Sequence, residues 1–175
     1  AWEVAEEESS EIASGMIAGA CMEHGVDGNR LVIHSDNGGP MKGATLLATF
    51  QFLGIVPSFS RPRVSDDNPY SEALFRTVKY RPEYPSRAFG SLAEAREWVQ
   101  RFVRWYNTEH RHSGIKFVSP AARHEGREEE ILSKRVETYE QARRRQPSRW
   151  SRGTRNWSAV GEVLLNPQRG TETVG

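Results

Sequence analysis

The sequence has a single cysteine, Cys21, among 175 residues, which excludes an internal disulfide and fits a reducing cytoplasm. No apolar run approaches the roughly 20 residues that a helix needs to cross a bilayer, and the acidic first residues are unlike a secretory signal. The sequence therefore predicts a cytoplasmic protein that does not associate with a membrane. Its hydrophobic content of 37% is low for a globular domain. Five Trp, five Tyr and seven Phe nevertheless supply large buried areas and argue against disorder.

The net charge of +1 conceals a gradient along the chain. Residues 1–30 hold seven acidic residues and one Arg, whereas residues 134–175 hold nine basic and four acidic residues. A basic C-terminal segment favours a polyanionic partner, although charge alone favours the simpler interpretation of a solvated helix face. The candidates to follow a phosphate backbone are six arginines interleaved with Trp150 and Trp157: Arg143, Arg144, Arg145, Arg149, Arg152 and Arg155.

Hydrophobic periodicity and turn residues predict helices and strands in the alternation that is typical of an α/β layer fold. The predicted helices cover roughly residues 10–24, 42–53, 69–80, 91–108 and 128–145, with a short helix starting at Ser119. The predicted strands are residues 1–5, 31–35 and 55–59. Because the strand at 31–35 begins as an unbroken apolar run, both of its faces are expected to be covered, as in a parallel sheet.

The first acidic candidate is Asp36, which directly follows the apolar strand. In open α/β sheets the active site lies at the carboxyl ends of the strands. Asn37, Gly38 and Gly39 come next and allow the backbone to pass close to a phosphate or a metal. A lone Asp at such a place is often only a turn or cap residue, so a metal site requires a second acid nearby.

The second acid is Glu72, in the first turn of a helix that Asn68 caps and Pro69 opens. Arg76 and Lys79 follow at i+4 and i+7, so they share one helix face with Glu72. One interpretation is an ordinary exposed Glu–Arg ion pair, worth about 0.3–0.5 kcal/mol. The other is a metal-binding carboxylate that converges with the strand-end carboxylate on shared metal ions, flanked by two cations for DNA phosphates.

Two histidines, His110 and His112, follow the predicted helix at 91–108. No cysteine pair accompanies them, so a zinc site is not predicted. Together with Arg111 they are interpreted as orienting or phosphate-facing residues on the loop after this helix.

Three ordered motifs make the chain resemble the DDE transposases of bacterial insertion sequences, which are relatives of the retroviral integrases. The segment 34–38 (His-Ser-Asp-Asn-Gly) resembles the motif of the family's second acid, and the segment 65–72 (Ser-Asp-Asp-Asn-Pro-Tyr-Ser-Glu) resembles its Glu motif. The segment 105–107 (Trp-Tyr-Asn), with 111–113 (Arg-His-Ser) and Pro120, resembles its C-terminal signature. The resemblance covers residues 2–126.

This resemblance implies an α/β fold of the RNase H-like type, the integrase catalytic core, and two divalent cations, normally Mg²⁺ with Mn²⁺ as a substitute. It implies that Asp36 and Glu72 are the second and third acids and bind the metal ions. It assigns Arg76 and Lys79 to holding DNA near the metals, and Asn37 to supporting Asp36 or contacting DNA. In this family, water first cuts the transposon end, and the freed 3′-hydroxyl then attacks the target DNA.

The resemblance also implies that the family's first acid is missing, because nothing in residues 1–30 replaces it. We therefore expect residues 1–126 to be a partial, N-terminally truncated integrase core that lacks its first two strands. Residues 127–175 are expected to form a helical and basic C-terminal extension, with a charged helix and an Arg/Trp-rich tail. Two carboxylates alone should hold the metals poorly, so the isolated chain is expected to be inactive. It is also expected to be unstable unless its open strand edge pairs with another segment.

Three functions stay open at the level of the sequence. In the first, the chain is part of a DDE transposase whose partners are transposon ends, target DNA, and either itself or an N-terminal transposase piece. In the second, it is a non-catalytic DNA-binding or regulatory remnant of a transposase. In the third, it is an unrelated metal-dependent hydrolase with paired carboxylates. The first two predict a nucleoid-associated protein.

Overall fold

The computed structural model describes residues 1–27, 31–62 and 67–161. The chain divides into two compact units, Ala1–Trp98 and Val99–Gly175. The helices and strands are, in chain order, α1 (Ser10–His24), β1 (Val32–Ser35), α2 (Ala44–Leu53), β2 (Val56–Phe59), α3 (Pro69–Lys79), α4 (Leu92–Thr108), α5 (Pro120–His124) and α6 (Glu128–Arg145). This division falls inside α4. The sequence-based boundary between residues 126 and 127 instead marks where the integrase core is expected to end, and it stays a prediction.

Local capping signals set the helix boundaries, and the predicted helices are confirmed. At the start of α1 the Ser9 hydroxyl accepts a hydrogen bond from the Ile12 N–H at 3.1 Å, and Gly25 ends the helix in the left-handed conformation at φ 58°. At the start of α4 the Ser91 hydroxyl accepts from the Glu94 N–H at 3.2 Å. None of the described helices has both the length and the apolar character that crossing a membrane requires.

The sheet in the described part of the chain consists of β1 and β2, which pair in parallel with Val32 opposite Val56 and Ser35 opposite Phe59. The helix α2 lies between the two strands in sequence and provides the crossover that parallel strands need. The core of this unit contains the buried residues Cys21, Leu46, Phe50 and Ile55, with Leu31 and Ile33 packed against them. Its architecture is therefore consistent with the predicted α/β class.

The prediction of a strand at residues 1–5 is wrong. The Arg96 side chain holds this segment instead, through the Val4 carbonyl oxygen at 3.1 Å and the Glu3 carboxylate at 3.0 Å. A strand needs a neighbouring strand to pair its backbone groups. Among the described residues the only strands are β1 and β2, which are paired with each other.

The prediction that both faces of β1 are covered is also wrong. Val32 and Val56, which are opposite each other, are 60% and 55% exposed. Ile33 points to the other face, because side chains alternate along a strand, and it packs against the core. An unbroken apolar run indicates that both faces of a strand are covered only where other elements pack on both faces. The described helices of this unit pack on only one face of β1.

The second unit packs α5 and α6 around a small core whose buried residues are Val118, Ala122, Leu132 and Trp157. The bounds of α6 are those predicted, with acidic residues in its first turn and arginines in its last, a distribution that favours the helix dipole. Trp157 is only 6% exposed. The ring therefore belongs to the core of this unit, and the contact of the neighbouring arginines with a phosphate backbone stays a prediction.

Candidate active site

Asp36 lies immediately after β1, and its side chain is exposed. Its Oδ1 accepts a hydrogen bond from the Gly38 N–H at 3.0 Å, which is the bond of a turn that an Asp side chain closes. The other carboxylate oxygen makes no hydrogen bond within the described part of the chain. The side chain thus holds its own turn at the strand end while leaving one oxygen open to a ligand.

Asn37 joins the segments that follow the two strands. Its Nδ2 donates to the Ser60 carbonyl oxygen at 2.7 Å, and the Ser60 N–H donates to the Ser35 carbonyl oxygen at 2.9 Å. These bonds hold the turn that carries Asp36 against the end of β2. This placement favours the supporting role for Asn37, and its contact with DNA stays a prediction.

A polar network, which we call the strand-end network, links the end of the sheet to the residues before α3. Its members are His34, Ser58, Ser60, Arg61 and Asp67. The Nε2 of His34 lies 3.0 Å from the Asp67 carbonyl oxygen, and its Nδ1 lies 2.9 Å from the Ser58 hydroxyl. Because a carbonyl oxygen only accepts, Nε2 carries the proton, and in the neutral ring Nδ1 accepts from the hydroxyl. Nε2 therefore fastens residue 67 to β1, and Nδ1 links β1 to Ser58 on β2.

The Asp67 carboxylate completes this network by pairing with Arg61. Its side chain is 2% exposed and accepts from the Arg61 guanidinium at 2.7 and 2.9 Å and from the Arg61 N–H at 2.7 Å. These hydrogen bonds from Arg61 lower the pKa of Asp67 from 3.8 to about 2, and the same pairing raises the pKa of Arg61. The residues before α3 are thereby tied to the end of β2.

We expect the Asp67→Asn variant to lose part of the acid sensitivity of the fold. The folded pKa of Asp67 is about 2 and lies below its ordinary value of 3.8. Its contribution is therefore complete above the ordinary value and is lost as the pH falls through the folded one. Urea unfolding at a series of pH values should show a steeper loss in the wild type than in the variant over this window. Equal pH slopes for both proteins would contradict the ion pair.

Glu72 lies in the first turn of α3, and its side chain is exposed. The helix opens with a proline as predicted, but Asn68, in the N-cap position, makes no side-chain capping bond. The start of α3 is held instead by the bond between the Asp67 carbonyl and His34. The residue two positions before α3 is therefore bonded to β1, two residues before Asp36.

The two cations predicted beside Glu72 are exposed on α3. The guanidinium carbon of Arg76 lies 5.7 Å from the centre of the Tyr80 ring, and the described residues include no ion pair between Arg76 and Glu72. The interpretation of Glu72 as half of a simple ion pair is therefore not supported. Glu72, Arg76 and Lys79 form an exposed face with one carboxylate and two cations.

The donor set at this place suits magnesium only in part. Mg²⁺ prefers oxygen ligands, keeps several waters and is often bound by one or two carboxylates together with substrate phosphates. Asp36 and Glu72 are such carboxylates. Among the described residues, however, no group of three or more His, Cys, Asp or Glu side chains lies close enough together to hold a metal ion. A complete site therefore needs further oxygen donors.

The other predicted DNA-binding residues lie in the second unit. Arg111 is exposed, whereas His112 is half-buried, with an Nδ1 that has no partner among the described residues. Arg143, Arg144 and Arg145 are exposed in the last turn of α6. The contacts of all five with DNA stay predictions.

Sequence reasoning missed the strand-end network, because no local pattern connects Asp67 with His34 or Arg61. Pairing the two predicted strands in parallel would have indicated part of this network. In that register His34 lies opposite Ser58, and Ser60 follows two residues later. Two residues of the Glu motif, Ser65 and Asp66, lie outside the described residues.

A comparison with protein-family models matches residues 53–120 to the integrase core domain. The matched segment includes Glu72 with its two cationic neighbours on α3, and also Arg111 and His112, whereas Asp36 precedes it.

A curated relative is the transposase for insertion sequence element IS904 of Lactococcus lactis subsp. lactis (strain IL1403). It is 30% identical over 91 residues, which are 51% of this chain and 36% of the relative. The chain thus spans little more than a third of the length of this relative. The two comparisons together confirm the resemblance that the motifs predict, to DDE transposases and integrases.

Proposed function

We propose that this chain contributes to DNA transposition as part of an RNase H-like catalytic domain that cleaves and transfers DNA strands in a metal-dependent reaction. The observation that carries the proposal is the hydrogen bond between the Asp67 carbonyl and His34. It fastens the start of α3, with Glu72 in its first turn, to the strand that Asp36 follows. In this proposal, the two exposed carboxylates, which come from distant parts of the chain, converge at this end of the sheet.

In this proposal, Asp36 and Glu72 provide oxygen ligands for Mg²⁺, with Mn²⁺ as a substitute. When bound, such ions would supply charge stabilisation for an in-line displacement at phosphorus. Arg76 and Lys79 bind the phosphates on either side of the reacting one, since they share a helix face with Glu72. Asn37 keeps the turn of Asp36 in place through its bond to the Ser60 carbonyl oxygen.

A third carboxylate must come from outside the described residues, either from this polypeptide or from a second one. The proposed partners are transposon ends, target DNA, and a further copy of the chain or a transposase piece that carries the first acid. Such a protein would work in the bacterial cytoplasm at the nucleoid. A second candidate function follows from the incomplete donor set: the chain binds DNA and transposase but does not catalyse.

Complementation separates these two functions. The chain is mixed with a polypeptide that supplies the family's first acidic strand, labelled transposon-end DNA, target plasmid and Mg²⁺, and strand-transfer products are resolved on a gel. We expect products from the mixture and none from the chain alone. A complementing polypeptide whose Asp is replaced by Asn serves as the control. DNA binding without any product in the mixture would contradict the catalytic proposal and support the second function.

A further inference from the structure

Asn37 and Gly38 form an Asn-Gly pair in the turn that follows β1. The sequence contains six asparagines, and Asn37 is the one that precedes a glycine. Asparagine is a thermolabile residue, because its side-chain amide can react with the backbone nitrogen of the next residue. Glycine has no side chain to hinder this approach. The turn that carries Asp36 therefore contains the asparagine whose neighbour hinders the reaction least.

The turn uses both residues of this pair. A Cβ atom added at Gly38 would lie 3.0 Å from the Asp36 Oδ1 that accepts the Gly38 N–H, so a larger residue would crowd the turn. The Asn37 Nδ2 donates to the Ser60 carbonyl oxygen at 2.7 Å, which an aspartate in this position could not do. The features that build the turn are therefore the same ones that make it chemically labile.

Two hydrogen bonds of the folded protein oppose the reaction. The Gly38 nitrogen must lose its proton to attack Cγ of Asn37, but its N–H donates to the Asp36 carboxylate at 3.0 Å. The Asn37 side chain must turn toward that nitrogen, but its Nδ2 is held by the Ser60 carbonyl oxygen. Both bonds must break before the attack, and each should slow the reaction by about three- to tenfold.

We propose that Asn37 is a site of spontaneous deamidation, which the folded turn keeps slow. The Gly38 nitrogen forms a bond to Cγ of Asn37 while the Cγ–Nδ2 bond breaks, so that a cyclic succinimide forms and ammonia leaves. Water then opens the ring at one of its two carbonyl carbons and leaves an aspartate or an isoaspartate at position 37. Asn37 is exposed, so water reaches the ring and no other reactant is needed.

Either product breaks the link between the turn of Asp36 and the end of β2. A carboxylate at position 37 has no N–H to donate, and its oxygens repel the Ser60 carbonyl oxygen. In the isoaspartate the main chain also runs through the side-chain carbons, which moves the Gly38 N–H away from Asp36. Because the ammonia is lost to solvent, the modified form accumulates with time. The loss of strand transfer that follows rests on the proposed function, whereas the modification itself rests on the turn.

The test incubates the full chain in mildly alkaline buffer and follows the tryptic peptide of residues 31–42 by mass spectrometry. A native sample, whose urea transition by circular dichroism shows that it is folded, is compared with the chain in concentrated urea. We expect deamidation at Asn37 in both samples, about 10- to 100-fold slower in the native one. Asn68 is the internal control and should stay intact, since Pro69 has no N–H with which to attack.

Two variants at Asp36 separate protection by the turn from a general effect of folding. Asp36→Ala removes the acceptor of the Gly38 N–H, so deamidation in the native chain should become about three- to tenfold faster. Asp36→Asn keeps an acceptor oxygen and should accelerate it less. Equal rates in the native wild type and in urea, or an unchanged native rate in Asp36→Ala, would overturn the proposal. Deamidated protein that still transfers strands would instead count against the proposed function, so the two failures are distinguishable.

Discussion

Replacing Asp36 by Asn is expected to reduce strand transfer in the complemented protein by roughly 10²- to 10³-fold. The amide keeps the size of the side chain and an oxygen that accepts from the Gly38 N–H, so the turn should persist. It loses the negative charge that a metal ion requires. A metal ion contributes several kcal/mol of transition-state stabilisation, and each 1.36 kcal/mol changes the rate about tenfold.

Glu72→Gln should cause a loss of the same size, because the proposal gives both carboxylates the same role. The matched control is Glu129→Gln, which removes an exposed carboxylate from the first turn of α6. Rates are measured with labelled transposon-end DNA at saturating Mg²⁺, with DNA affinity recorded in parallel. If both variants transferred strands at the rate of Glu129→Gln, neither carboxylate would belong to the reacting centre.

Replacing Trp157 by Ala is expected to destabilise the second unit by about 3–5 kcal/mol, the usual cost of removing a large buried aromatic side chain. The indole is 6% exposed and packs against Val118, Ala122 and Leu132. Its loss also removes the ring on which the Arg135 guanidinium lies. Urea unfolding followed by circular dichroism measures the change.

Two further variants sharpen this result. The indole N–H of Trp157 has no acceptor among the described residues, so Trp157→Phe removes an unsatisfied donor and should cost less than Trp157→Ala. Trp2→Ala is the control, since Trp2 is 38% exposed. A Trp157→Ala protein as stable as Trp2→Ala would mean that the segment around residue 157 does not pack on α6 in solution.

The helices could be predicted from the sequence because their boundaries depend on neighbouring residues. Ser9 caps α1 through the N–H of Ile12, three residues away, and Gly25 ends the same helix. The charged helix at 128–145 was likewise visible from its composition and length. Where a hydrogen bond joins residues one helical turn apart, the sequence pattern predicts the helix boundary that the structure shows.

Contacts between distant residues were not predictable in this way. The bond from His34 to Asp67 spans 33 residues, and no local pattern indicates it. The burial of Trp157 depends in the same way on its packing against residues as far back as Val118. The error at residues 1–5 has the same cause, since alternation of side chains does not say whether a partner strand is present.

The residues of the candidate site could be predicted from the sequence, but the hydrogen bonds that fix the segments around them could not. Asp36 and Glu72 could be chosen from their place after a strand and in the first turn of a helix. The segments that carry them are linked by the strand-end network, in which a half-buried histidine uses both ring nitrogens and an aspartate is fixed by Arg61. The chemical role of the pair depends on ions and on further donors that a single sequence does not specify.

The most direct test of this account is Mn²⁺ titration of the isotopically labelled chain in complex with its complementing polypeptide, observed by nuclear magnetic resonance. Paramagnetic broadening should affect the backbone amides around residues 36 and 72 over the same range of Mn²⁺ concentration. Asp36→Asn alone should then remove the broadening at both places. Broadening near only one of the two residues, or its persistence at residue 72 in the Asp36→Asn variant, would show that the two carboxylates do not share an ion.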